Sequence, residues 1–211
     1  MKIILPENIS DINLATFQRY HELTTRTDLT DYQFNKRKIE IFTGLKRLDI
    51  DKIKRSDYQE INAQIDKALE QNAEFKPTFK IKDVEFGFIT NLDEISTGEY
   101  TDLNKYGLEV DTMHNLMAVL FRPILKKDSF GNYEIIPYEG TKQYADIMKH
   151  MPMSIVNGGL VFFSSLANEL TSYTQRYMEA EQMKANKRAN ILKNGDGMLQ
   201  WWMSLRVKFG S

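Results

Sequence analysis

The sequence predicts an α+β protein that is mainly α: helical bundles carrying two small β-hairpins. Apolar residues recur at steps of three and four through the first third of the chain and again from Met153 to Glu181, the spacing of one helical face. Phe79 to Phe88 and Lys126 to Tyr138 instead hold period-two or turn-forming patterns, which are hairpin signals. Between these regimes, Gln71 to Pro77 is polar and ends in proline, and Asn194-Gly195-Asp196-Gly197 breaks the chain a second time. The chain therefore divides into three sections: 1–71 as an N-terminal helical bundle, 78–193 as hairpins with a central-helix bundle, and 196–211 as a C-terminal amphipathic helix.

In order, Ile3 to Leu5 reads as a short edge strand ended by Pro6. Ser10 stands as N-cap, with Asp11 at the positive helix end, for a helix lined by Leu14, Phe17, Tyr20 and Leu23. A second helix starts after Thr30. Phe34, Ile41, Phe42 and Leu45 form its apolar side, Asn35, Lys36, Arg37 and Lys38 its basic side, and Gly44 its C-cap. Leu48, Ile50 and Ile53 make an apolar turn, and Ser56 opens a third helix carrying Tyr58, Ile61, Ile65, Ala68 and Leu69.

The first hairpin alternates around Asp83-Val84. Thr97 caps a short helix closed by Gly107. Asp111 opens another, with Met113, Leu116, Met117 and Leu120 inward, stopped by Arg122-Pro123 because proline disfavours the helical conformation before it. Lys127 to Asn132 supplies the turn of the second, more exposed hairpin, Tyr133 to Ile136 its returning strand, and Thr141 caps a helix through Met148.

The rest is organised around 153–181. Val156, Leu160, Phe163, Ala167, Leu170, Thr174 and Tyr177 line one helical stripe. Ile155, Phe162 and Leu166 widen it, so its first half should be buried on most sides. Pro152 takes the N1 position, and Gly158-Gly159 marks the close approach of another backbone, with a hinge as the lesser alternative. Asn157, Ser164, Ser165, Asn168 and Glu169 interrupt the run before it reaches the ~20 apolar residues of a bilayer crossing, so no membrane partner is expected.

With 42% hydrophobic and 27% charged residues and a net charge of -1, the composition is that of an ordinary soluble globular protein and gives nucleic acid no global foothold. The absence of cysteine excludes disulfides and thiolate zinc sites and suits a reducing cytoplasm. Met1 to Ser10, cut by Pro6 and Glu7, does not read as a secretory signal. Charge is uneven: 182–211 holds six cations against Asp196 alone, a net +5, which reads as a solvated end or as a docking arm for an acidic partner.

Catalytic chemistry is not indicated. His21, His114 and His150 are dispersed, and Asp111 with His114 falls short of the ligand set that zinc needs, so no metal is expected. Asn194 to Gly197 lacks the closing glutamate of a calcium loop. No phosphate-binding loop or nucleophile elbow occurs, and no cofactor is expected. Asp93-Glu94 and Glu179 with Glu181 lie in polar surroundings that give no reason for a raised pKa. In Tyr32 to Lys38, helical spacing sends the rings to the core and the cations to water, against a nucleic-acid reading. The candidate site is a partner-binding face on the terminal helix: Trp201, Trp202, Leu205, Arg206 and Phe209. Its alternative is fold-back onto the chain's own bundle.

Arg37 to Ile61 resembles the helical domain of tail assembly chaperones of long-tailed bacteriophages. The resemblance rests on Ile41-Phe42, the turn Thr43-Gly44-Leu45, the spaced aliphatics Ile50 and Ile53, then Ser56-Asp57-Tyr58 and Ile61, about an eighth of the chain. Leu120 to Ile124 and Asp128 to Tyr133 are similar to segments of phage virion-module proteins. The resemblance implies a non-enzymatic protein in the cytoplasm of the infected host. It would bind the tape-measure protein, keep it soluble and help tail-tube subunits polymerise around it. A structural virion component retained in the particle (baseplate, connector or tail) is the alternative, and a homo-oligomer stays open. The two hairpins and the long central helix fall outside the main matched stretch.

Overall fold

The computed structural model describes residues 3–71, 73–89, 91, 94–107 and 109–165. Met1–Phe163 forms one compact unit and Ser164–Ser211 a second. The helical stripe beyond 165, the break at 194–197 and the terminal helix lie outside the described residues.

The first unit begins with a 3-10 turn, Ile9–Asp11, closed by Asn8 and Asp11 in a capping box. The first α-helix, α1 (Leu14–Thr24), starts only afterwards. Its N-cap is Asn13, whose side-chain oxygen accepts from the Thr16 N–H at 2.8 Å, and not Ser10 as the sequence suggested. The cause is tertiary. Met153 N–H donates to Ile12 O at 2.8 Å, Leu14 N–H to Met151 O at 2.9 Å and Ala15 N–H to Lys149 O at 2.9 Å. These bonds hold Ile12-Asn13 extended, which a helix running on from Ser10 would forbid.

Helix α2 (Asp31–Thr43) follows the sequence reading at both ends. Thr30 and Gln33 form its capping box, and Gly44 at φ 70 is its left-handed C-cap. A single turn, α3 (Arg47–Ile50), leads to α4 (Arg55–Leu69). Ser56 does not cap α4; Lys54 precedes it without a side-chain hydrogen bond, and Ser56 turns to Asp57. Ile39, Ile50, Ile61 and Ile65 form the core of this bundle, and Phe42 and Leu69 touch both it and the larger core beyond. Lys38 departs from the expected basic face: it is 3% exposed and reaches Asp66 on α4 at 2.7 Å.

The two expected hairpins join into one antiparallel sheet of strand order β1-β2-β3-β4. β1 (Thr78–Ile81) and β2 (Val84–Phe88) turn through Lys82-Asp83, with Lys82 at φ 52, one position earlier than the alternation suggested. Ser96, rather than Thr97, caps the next helix, α5 (Thr97–Tyr106), in a capping box with Glu99. A 3-10 turn, Val110–Thr112, then leads into α6 (Met113–Leu120), so Asp111 lies in that turn.

With no loop between them, α6 passes into β3 (Phe121–Lys127), which pairs with both β2 and β4 (Tyr133–Ile135). Pro123 therefore sits within the sheet, opposite Phe86, and does more than stop the helix. A short helix α7 (Ala145–Met148) comes next, its first turns bonded to the carbonyl of Thr141 and not to the Thr141 hydroxyl. The last described helix, α8, runs through 153–165. Pro152 precedes it, its carbonyl accepting from Ile155 and Val156 N–H at 3.0 and 3.2 Å.

Phe86, Phe121, Leu116, Met117, Leu120, Met148 and Met151 are fully buried between sheet and helices. α8 adds Met153, Ile155 and Val156 to that core. Burial then ends sooner than the sequence suggested: Phe163 and Leu160 are half-buried, Phe162 stacks on Phe75 at 4.0 Å with one side in solvent, and Val161 is 65% exposed. The glycine pair marks where the helix is pressed against other chain. A Cβ on Gly158 would lie 2.6 Å from the Glu74 carbonyl oxygen, and one on Gly159 3.0 Å from the Phe121 ring.

Gly158→Ala should lower the melting temperature. Its gain in helix propensity, about 1 kcal/mol, is outweighed by overpacking against backbone, a cost of about 1 to 3 kcal/mol where nothing can rotate away. Gly159→Ala meets a ring that can shift, so thermal unfolding should show the smaller loss.

Candidate functional site

Among the described residues two features stand apart: a buried polar cluster beneath α5 and an exposed arm, made by β3 and β4, that carries Leu125 and Phe130 on an otherwise polar tip. Arg122 leaves β3 on its buried side and donates from Nη2 to Glu99 Oε1 of α5 at 2.6 Å. Both residues are more than nine-tenths buried. Glu99 also accepts the Ser96 backbone N–H at 2.7 Å, so one carboxylate ends the helix and neutralises the guanidinium. Tyr138 covers Arg122, its ring centre 5.7 Å from the guanidinium carbon, and donates its hydroxyl to Asp102 Oδ2 at 2.5 Å. Thr141 Oγ1 shares a hydrogen bond with the Tyr106 hydroxyl at 3.1 Å.

Electrostatics agree with a holding role for this cluster. Burial pulls the Arg122 guanidinium below its ordinary value while Glu99 and Tyr138 oppose the shift. Burial and the bond to Asp102 push the Tyr138 phenol well above its ordinary value. A phenol so displaced is a donor at neutral pH and a poor base or nucleophile. Apart from Arg122 Nε, which finds no hydrogen-bond acceptor, the cluster satisfies itself. Its chemistry is to fasten α5 and the 136–141 segment to β3.

The arm has the opposite character. β3 is buried at Phe121 and Arg122 and exposed from Leu125 onward, so the β3–β4 hairpin extends from the core into solvent. Leu125 is 68% exposed and Phe130 at the tip is 90% exposed. Asp128 shapes the tip: Oδ1 accepts the backbone N–H of Phe130 and of Asn132, each at 2.9 Å, and Oδ2 accepts the Asn132 side chain at 2.7 Å. Those bonds, the Asn132 side chain foremost, hold the Asp128 carboxyl below its ordinary value. Lower down, Lys127 braces the arm to Glu85 of β2 at 2.7 Å, and Tyr133 lies over Gly87 while donating to Phe88 O at 3.0 Å. A large ring on a loop fixed this way loses little conformational freedom on meeting a partner.

The sequence-derived partner face, Trp201, Trp202, Leu205, Arg206 and Phe209, lies outside the described residues, as do Asp93, Glu179, Glu181 and Asn194 to Gly197. His114 does not meet Asp111 as a co-ligand; its Nδ1 faces the Gln18 side chain, and among the described residues no group of three or more His, Asp or Glu is placed to hold a metal ion. In Tyr32 to Lys38 the expected sorting of rings to the core and cations to water fails at both ends: Tyr32 is 58% exposed and Lys38 is buried. Tyr32 stacks on Tyr58 at 6.0 Å, Lys36 pairs with Asp51 and Lys38 with Asp66. Sequence reasoning missed the Arg122–Glu99 pair, which nothing local signalled; it expected the second hairpin to be the more exposed one but did not single out Phe130. The chain matches no family model, no curated protein and no solved structure. No helix among the described residues is long and apolar enough to cross a membrane.

Two outcomes are expected of the cluster. Glu99→Ala strands a buried guanidinium and should cost about 3 to 5 kcal/mol in denaturant unfolding, whereas the double change Glu99→Leu with Arg122→Met should recover most of that loss. Tyr138 has its pKa raised by folding, so its contribution is complete below the ordinary phenol value of 10.0 and is lost as pH rises above it. Tyr138→Phe should therefore lower stability at neutral pH by about 1 to 2 kcal/mol and flatten the alkaline decline in unfolding midpoint.

Proposed function

We propose that this chain is a non-enzymatic tail assembly chaperone of a long-tailed bacteriophage, acting in the cytoplasm of the infected host on the tape-measure protein. The observation that carries the reading is the exposed arm: a hairpin whose tip is held by Asp128 presents Phe130 and Leu125 to solvent, where they can grip another protein. It is joined by the resemblance of Arg37 to Ile61, a stretch that folds as a helix, a left-handed Gly44 turn and a second helix around an isoleucine core. The non-enzymatic part is supported by the use of the buried charges. Arg122, Glu99 and Lys38 are each engaged in a pair that fastens one element to another.

A structural component retained in the virion is the second reading. It is favoured by the same arm, because a fixed hairpin also suits permanent docking on a neighbouring subunit.

The test is co-expression with the longest helical protein encoded beside this chain, followed by size-exclusion chromatography with light scattering. The chaperone reading expects co-elution, with the long protein aggregating when this chain is omitted, and near absence of this chain from purified virions by mass spectrometry. Stoichiometric presence in the virion would establish the structural reading instead. Phe130→Ser should weaken co-elution at an unchanged melting temperature, and undiminished co-elution would remove the arm as the gripping element.

A further inference from the structure

We propose that copies of this chain associate arm to patch: the β3–β4 arm of one copy seats Phe130 and Leu125 on an apolar patch formed by Phe75, Val161 and Phe162 of another. This association needs no protein but the chain itself and so goes beyond the chaperone reading.

The patch arises where α8 presses on the 74–75 segment. A Cβ on Gly158 would lie 2.6 Å from Glu74 O and 2.9 Å from Phe75 Cα. Val161 and Phe162 follow Gly158 by three and four residues, so they stand one turn further along the same side of the helix. Phe162 lies flat on Phe75, with ring centres 4.0 Å apart and planes 6° apart, and Phe88 meets the two rings edge-on at 5.5 and 5.2 Å. The stack is braced on that side and open on another: Phe162 is 37% and Val161 65% exposed. A braced aromatic pair beside an exposed valine offers apolar area with little side-chain freedom left to lose.

Arm and patch lie at opposite ends of one sheet. Phe88, which braces the patch, pairs with Phe121 at the start of β3. From Phe121 to Lys127 the strand rises about 20 Å, and the arm leaves from its far end. Lys127 on Glu85 and Tyr133 on the Phe88 carbonyl hold the arm pointing outward, so a copy does not cover its own patch. A second copy brings the two surfaces together without rearrangement. Charge suits the pairing as well. The arm carries Lys126 and Glu134, and the patch is flanked by Glu74 and Lys76; all four are exposed and none has an ion partner among the described residues. One orientation sets Lys126 against Glu74 and Glu134 against Lys76, and such rim charges fix register more than they add affinity. A contact of so few side chains is small beside the ~1,200 to 2,000 Å² of stable interfaces, so the association is reversible and depends on concentration.

Sedimentation velocity of the purified full chain across a dilution series tests this. The weight-average mass should rise above that of the monomer as concentration increases. Phe130→Ser removes the knob, and Val161→Asp puts a carboxylate into the patch. Both positions are exposed, so melting temperatures should hold while each variant alone stays monomeric. Mixing the two variants should restore association, because the Val161→Asp copy keeps its arm and the Phe130→Ser copy keeps its patch. Should Val161→Asp not fold, Val161→Ser takes its place. The proposal is overturned if the wild-type chain is monomeric throughout, if either variant still self-associates, as arm-to-arm or patch-to-patch contact would allow, or if the mixture stays monomeric. The tape-measure protein is absent from every arm of this experiment, so its outcome is separate from that of the co-expression test.

Discussion

The arrangement of this fold depends on one short backbone exchange, between Ile12 to Ala15 and Lys149 to Met153. Each of its three hydrogen bonds contributes on the order of 1 kcal/mol net, but Ile12, Leu14, Met151 and Met153 around them are buried, so breaking one would leave a donor or acceptor unsatisfied at greater cost. The exchange dictates where α1 begins and how α8 enters the core. It also brings α1 alongside the start of α6, where Gln18 and His114 meet.

Around that joint the protein uses its buried charge for fastening. Lys38 ties α2 to α4, and Arg122 ties β3 to α5, each through a carboxylate on the other element. Asp66 is half exposed, so water screens the first pair; a pair buried on both sides, as Arg122–Glu99 is, adds less to net stability than hydrophobic replacements could, since desolvation offsets much of the attraction. What they add is direction: an Arg122 that must meet Glu99 selects one placement of α5. Of the large apolar side chains left outside among the described residues, Phe130 is the most exposed, at 90%.

Local chemistry was legible in the sequence where the local chain decides the outcome. Thr30 and Gly44 bound α2 as read, because a capping hydroxyl and a left-handed glycine act within a few residues. Gly158-Gly159 announced a close approach because only a missing Cβ permits one. Where distant partners decide, the reading failed. Ser10 lost the N-cap role to Asn13 because Met151 and Met153 claim the intervening backbone. The union of two hairpins into one sheet rests on the pairing of Phe88 with Phe121, residues from different hairpins, and Pro123 argued against a strand at that place. Lys38 looked like a solvated cation because Asp66 lies a full helix away. Of the candidate site, the turn at Asp128 to Asn132 could be read and the projection of Phe130 could not, since exposure is a property of the finished surface.

The two cores differ in how far apart along the chain their residues lie, and this implies an order of assembly. Ile39, Ile50, Ile61 and Ile65 are near neighbours in sequence, so their cluster closes few and short loops. The larger core needs Ile12 and Leu14 to wait for Met151, Met153 and Val156. During synthesis the first cluster can therefore form on a growing chain, while Ile9, Ile12 and Leu14 stay unburied until most of the described chain has emerged. For that interval the nascent protein is itself a chain with apolar residues in need of cover.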